Sequence, residues 1–261
     1  MMTDWSTATL GRTGRTVCRL GISASYGVPT AGVRAAFERG VNYLYWGSFR
    51  RGQFAQALRE IKVQRERVFL LIQSYSRLAS LVPWSLERAL RAIGYDYADG
   101  ILLGMWNHPV NPRILDVCRK LRDRGLIRHI AVSTHHRPLI PELTASDVDV
   151  FHVRYNAVHT GAERDVFPKL PADGAGPGIV AFTATSWKQL LTPGKVPPGE
   201  SVPTASDCYR FVMSNPAVDV CMTGPGNPQH VEEMLKALDA GPMDATQLSW
   251  MRRVGKSIYG R

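Results

Sequence analysis

Three tyrosines stand at or just beyond the ends of short apolar runs: Tyr26 in GISASYGVP, Tyr45 in GVNYLYWGS and Tyr75 in IQSYSR. A phenol so placed can give a proton to a substrate oxygen. Its ordinary pKa near 10 means that it needs help from neighbours near neutrality. Yet GVNYLYWGSFRRG contains no carboxylate, so a charge-tuned proton relay has no acid partner there. The competing reading of all three is an aromatic pocket wall. Trp46 and Trp106 are placed to frame a flat slot or to pack beneath loops. Arg50 and Arg51 are placed to clasp a phosphate or carboxylate, or to lie in a solvated loop. His108, His135, His136, His152 and His159 show no HxH or HExxH spacing, and no metal site is expected. In DVFHVRYN the period of two puts His152 and Arg154 on one face.

The elements that must position these groups alternate along nearly the whole chain. Eight short β-rich runs (RLGIS, VNYLY, RVFLLIQ, DGILLG, HIAVS, DVFHVRYN, GIVAFTA and VDVCMTG) are interleaved with helical patterns. In SLVPWSLERALRAIG, for example, Leu86, Leu90 and Ile93 form an apolar stripe and Ser85 is a plausible N-cap. Eight strand-then-helix units in 261 residues predict an α/β fold, a (β/α)8 barrel forming a single domain over 1–261. LGRTGRTVCRLG predicts an N-terminal β-hairpin over 7–18, with Gly14 in its bend. Pro and Gly collect in LPADGAGPG (170–178) and in TPGKVPPGESVPT, whose 192–204 span is a candidate lid loop. No GxGxxG or GxxxxGK[ST] motif is present, which argues against a Rossmann site and a P-loop.

Composition narrows the class. Net charge is 32 − 22 = +10, but the basic residues are scattered, which suits an anionic small molecule better than nucleic acid. No apolar run approaches the roughly 20 residues that span a bilayer. The N-terminus has no secretory pattern, and the four cysteines are widely spaced, so a cytoplasmic protein with reduced thiols is expected.

LGRTGRTVCRLG, GVNYLY, SLERALRAIGYDYADGILL, RDRGLIRHIAVST, the YN at 155–156 and GPGNPQHVEEM occur in an order that resembles the aldo-keto reductases. The resemblance covers essentially the whole chain. It implies a (β/α)8 barrel that reduces aldehydes and ketones with NADPH. In that family a tyrosine donates the proton, an aspartate and a lysine tune it, and a histidine orients the carbonyl. Here those four positions fall on Arg50, Tyr45, Gln73 or its neighbour Ser74, and Gly104. The cofactor half fares better. Ser133 and Thr134 fall on the pair that holds the nicotinamide amide, and His152 on a glutamine that assists it. Phe182 falls on the residue that stacks on the ring, and Thr183 on its pyrophosphate-side neighbour. His230 falls on an arginine that grips the 2′-phosphate, Glu233 on an adenine-contacting glutamate, and Met234 replaces an asparagine. NADP is the implied cofactor, and histidine, a weaker phosphate partner than arginine, leaves NAD open. With His152 inward, Arg154 points into the barrel or its rim, where a buried arginine needs an anion.

The expected function is NAD(P)H-dependent reduction of a small carbonyl compound by a monomer with a non-standard proton donor. Tyr45 and Tyr26 are the candidate donors, and Arg154 completes the catalytic set. A repurposed lyase or isomerase and a non-catalytic nucleotide-binding regulator are the alternatives.

Overall fold

The computed structural model describes residues 5–144, 146–171 and 174–259, so residues 172 and 173 of the 170–178 loop lie outside the described residues. Strands β1 (Thr7–Thr9) and β2 (Thr16–Cys18) pair antiparallel, and Gly14 turns the chain between them at φ 64°. Leu10 and Val17 of this hairpin are buried among the inward-facing barrel residues.

The eight β-rich runs become the parallel strands of one closed barrel. They are β3 (Leu20–Ser23), β4 (Tyr43–Trp46), β5 (Phe69–Ser74), β6 (Gly100–Leu103), β7 (His129–Thr134), β8 (Val150–Arg154), β9 (Gly178–Phe182) and β10 (Val220–Thr223). Each pairs with the next in chain order, and β10 closes against β3. Helices α1 (Thr30–Glu38), α2 (Gly52–Glu60), α3 (Leu81–Ile93) and α4 (Pro112–Asp123) pack outside the barrel. They are followed by two single turns, α5 (Leu139–Glu142) and α6 (Ala162–Asp165), and then by α7 (Ala205–Met213), α8 (Pro228–Asp239) and α9 (Ala245–Tyr259). None is long and apolar enough to cross a membrane.

The pleat of each strand sorts its side chains. Tyr43 and Tyr45 of β4 join the inward cluster, whereas Leu44 and Trp46 join the layer beneath the helices. Trp46 packs against Phe54 of α2, with ring centroids 6.4 Å apart. The α3 stripe of Leu86, Leu90 and Ile93 is buried as its spacing predicts. Ser85 does not cap this helix. The helix starts a full turn earlier, at Leu81, and the Ser85 hydroxyl donates to the Val82 carbonyl from within it. Pro83 in the first turn needs no N–H partner, which lets the helix begin ahead of it.

At the N-terminal end of the barrel, Asn42, Asp99, Asp149 and Asp219 stand just before β4, β6, β8 and β10. Each accepts a backbone N–H from the segment alongside: Cys18 (2.8 Å), Leu70 (2.8 Å), Ile130 (2.9 Å) and Ile179 (2.9 Å). Asp99, 1% exposed, also pairs with Arg65 at 2.7 Å. These groups lock strand register, and their end of such a barrel serves stability rather than chemistry.

Candidate active site

A cavity of about 610 Å³ opens at the C-terminal ends of the strands, within the size range of small-molecule sites. Ser133, Thr134, His152, Phe182, Thr183, His230 and Glu233 all line it, as do Tyr45, Tyr26 and Tyr75. Arg154 does not. Trp46 and Trp106 also lie away from it, both buried: Trp46 faces outward from its strand and Trp106 lies under Arg77 at 4.2 Å. The tryptophan at the mouth is Trp187.

The proton-transfer quarter of the wall is built from uncharged groups. The Tyr45 hydroxyl donates to Oε1 of Gln73 on the neighbouring strand. Thus Tyr45 and Gln73 touch as a phenol and an amide. Burial raises the Tyr45 pKa well above 10, and the nearby phenols of Tyr75 and Tyr26 push it further. At Gly104, a Cβ would stand 2.6 Å from both Tyr75 Cε1 and Gln73 Nε2. The Tyr75 ring therefore fills the volume that a side chain there would need. Tyr26 lies just as closely over Gly224. Arg50 is exposed at φ 50° and lines no part of the cavity. Arg51 stacks over Trp46 at 4.9 Å.

On the opposite wall, Ser133 Oγ accepts the Met105 N–H at 2.9 Å. The Thr134 hydroxyl is occupied within its own turn, accepting from His136 N–H at 2.9 Å and facing Asn107 at 3.3 Å. His135, two residues beyond Ser133, brings its ring edge-on to Phe182 with centroids 5.5 Å apart. Sequence reasoning missed His135 as a site residue, although the period of two that assigned His152 and Arg154 would have found it. His152 is 4% exposed, with Nε2 2.9 Å from the Tyr43 hydroxyl. Burial lowers its pKa to about 3, so the imidazole is neutral at physiological pH. Tyr43 in turn stacks on Phe69, with centroids 5.1 Å apart.

The chain leaving β9 is strained. Thr183 has φ 60°, and Ser186, Trp187 and Lys188 follow at 48°, 53° and 69°. Each such residue costs on the order of 1–3 kcal/mol, and such strain concentrates at functional sites. Asn156 Nδ2 holds the bend by donating to the Thr183 carbonyl at 2.7 Å. At the far end of the cavity, α8 opens with Asn227 as N-cap, accepting from His230 N–H at 2.8 Å, and with Pro228 in the first turn. Such a helix start favours a phosphate. Glu233, one turn along, accepts from Ser206 N–H at 3.3 Å. An aromatic ring at one end and a helix N-terminus at the other match the two ends of an elongated dinucleotide. Among the described residues, no group of three or more His, Cys, Asp or Glu side chains converges as a metal site would.

The family profile described as the Aldo/keto reductase family matches residues 22–198, more than half of the chain. The chain belongs to the aldo/keto reductase family. Among solved structures it is similar to aldo-keto reductase AKR11C1 from Bacillus halodurans in its holo form, at 18% identity and a TM-score of 0.80, covering 97% of both chains. It is also similar to an aldo/keto reductase from Klebsiella pneumoniae in complex with NADP and acetate, at 20% identity and a TM-score of 0.77, covering 96% of this chain and 95% of that one. At these identities the likeness establishes the fold. No curated protein sequence matches the chain.

Proposed function

We propose that this aldo/keto reductase family member is an oxidoreductase that binds NADP(H) and reduces a small carbonyl compound. One observation carries the proposal: the residues expected to hold the two ends of the cofactor line a single cavity. When bound, the nicotinamide supplies hydride. Phe182 packs against the ring, and Ser133 and His152 meet its amide. The α8 start with His230 takes the adenosine phosphate, and Glu233 takes the adenine. The NADP-bound Klebsiella relative supports the choice of cofactor. Histidine is a weaker phosphate partner than arginine, so NADH is a weaker alternative rather than a forbidden one.

Tyr45 is the first candidate for the proton donor and Tyr26 the second. A general acid contributes about 10² to 10⁴ in rate, so an untuned phenol supports slow turnover. We place the protein in the cytoplasm as a monomer; its four buried, reduced thiols suit that compartment. The 192–204 segment joins two cavity-lining residues, Leu191 and Ala205, and is tied to α9 by Glu200–Arg253 at 2.6 Å, which suits a lid with one fixed edge. The test is NADPH oxidation with a panel of aldehydes and ketones, using the natural protein and Tyr45→Phe. Turnover that falls at least tenfold in the variant supports Tyr45 as donor, and unchanged turnover removes it.

A further inference from the structure

Arg154 lies opposite Phe182 in the β8–β9 register, so its side chain leaves the strand on the barrel side. Its guanidinium carbon stands 5.9 Å from the Trp187 ring centroid. Its Nε is buried without a hydrogen-bond partner, and among the described residues the guanidinium forms no ion pair. Most other arginines in the rim loops are engaged; Arg137, for instance, reaches Asp165 at 2.8 Å. Two more buried polar atoms in this corner also lack partners: His135 Nδ1, and Ser186 Oγ in the strained turn that carries Trp187. His159 closes the corner, with its ring edge-on to Trp187 and centroids 5.8 Å apart. Burial, and then the Arg154 charge, lower the pKa of both His135 and His159, keeping them neutral. A half-buried cation with an idle fork donor is unfavourable unless something supplies an acceptor. Among the described residues, no carboxylate does so here.

We propose that Arg154, with His135 and Ser186, forms a subsite that binds the oxoanion of the substrate, a carboxylate or a phosphate carried by the carbonyl compound. The Nε edge of a guanidinium meets two oxygens of such a group side by side. The position favours substrate over cofactor. Arg154 is on β8, on the side of Phe182 facing β7, whereas the adenosine-end residues His230 and Glu233 lie beyond β10 on α8. Trp187 bridges the corner and the cavity that it helps to line. This inference rests on the reductase reading for its substrate and refines it to an anionic aldehyde or ketone.

The experiment compares 4-carboxybenzaldehyde with its methyl ester, and phenyl phosphate with benzoate. With NADPH, the natural protein should favour the carboxylate over the ester in kcat/KM by about tenfold or more, the order expected of one charge-assisted pair. In Arg154→Met that ratio should collapse towards one. Arg154→Lys, which keeps the charge but loses the fork, should lose most of it and serves if the methionine variant does not fold. No preference in the natural protein, or a preference that both variants keep, overturns the subsite. If NADPH neither binds nor is oxidised, the reductase reading fails, and calorimetric titration of the protein alone still decides. Benzoate or phenyl phosphate binding that weakens at least tenfold in Arg154→Met upholds the oxoanion site, and whichever of the two binds identifies its source. Absent or unaltered binding refutes it.

Discussion

Replacing His152 by glutamine should flatten the acid side of the stability curve. The imidazole is buried in the barrel against Tyr43, and its pKa falls from 6.5 to about 3. Its folded-state pKa is therefore below the unfolded value, so between these limits the unfolded chain holds a proton that the folded chain refuses. Stability from this residue is whole above pH 6.5 and drains as pH falls towards 3. From pH 7 to pH 5 the loss comes to about 2 kcal/mol, at about 1.4 kcal/mol for each pH unit once the unfolded histidine is charged. Glutamine keeps an acceptor for the Tyr43 hydroxyl and has no proton to take up. Urea unfolding at the two pH values should show that the natural protein loses about 2 kcal/mol more than His152→Gln, or roughly 4–8 °C in melting temperature for a chain of this size. Asp219, whose carboxyl burial raises to about 6, shifts stability in the opposite direction but is common to both proteins. Parallel pH profiles for the two would refute a buried neutral histidine at this position.

Gln73→Lys alone should destabilise the barrel by about 1–3 kcal/mol, because it sets an unpaired ammonium in the half-buried cavity wall beside the Tyr45 hydroxyl. Adding Tyr45→Asp, which exchanges a long–short pair for a short–long one, should restore at least half of that in chemical denaturation. Asp99→Ala should cost about 3–5 kcal/mol in the same assay, since it strands Arg65 and the Leu70 N–H at the closed end of the barrel. With Tyr45 as donor, its raised pKa keeps the phenol protonated beyond pH 10, so kcat/KM should show no alkaline fall from it up to about that pH. A falling limb with a pKa below 9 would point to another group.

Most of the barrel was legible because its signals are local. Each strand is a short apolar run, and each major helix repeats its apolar face, so all eight strands and the hairpin fall where the patterns put them. The start of α3 was less legible, since Ser85 offered a cap that the burial of Val82, one turn earlier, bypassed. Within the site, Tyr26, Tyr45, Ser133, His152 and Phe182 line the cavity as their places at or just beyond strand ends suggest, whereas Trp46 and Arg154, also at strand ends, do not. The hydroxyl of Thr134 turns into its loop, and Trp187 reaches the mouth through three left-handed residues that no sequence rule signals. Tyr75 occupies the space beside Gly104 through a contact between two loops, which strand spacing cannot foretell. The alternation that would have placed His135 was available, but it extends past the last hydrogen-bonded residue of β7.

The most direct test is thermal unfolding of the whole chain with and without excess NADPH and NADH. A cofactor at about 100 times its dissociation constant adds about 2.7 kcal/mol to stability. NADPH should raise the melting temperature, and NADH should do so less. A folded protein whose melting temperature moves with neither would mean that the cavity holds no nicotinamide cofactor and that the reductase reading is wrong.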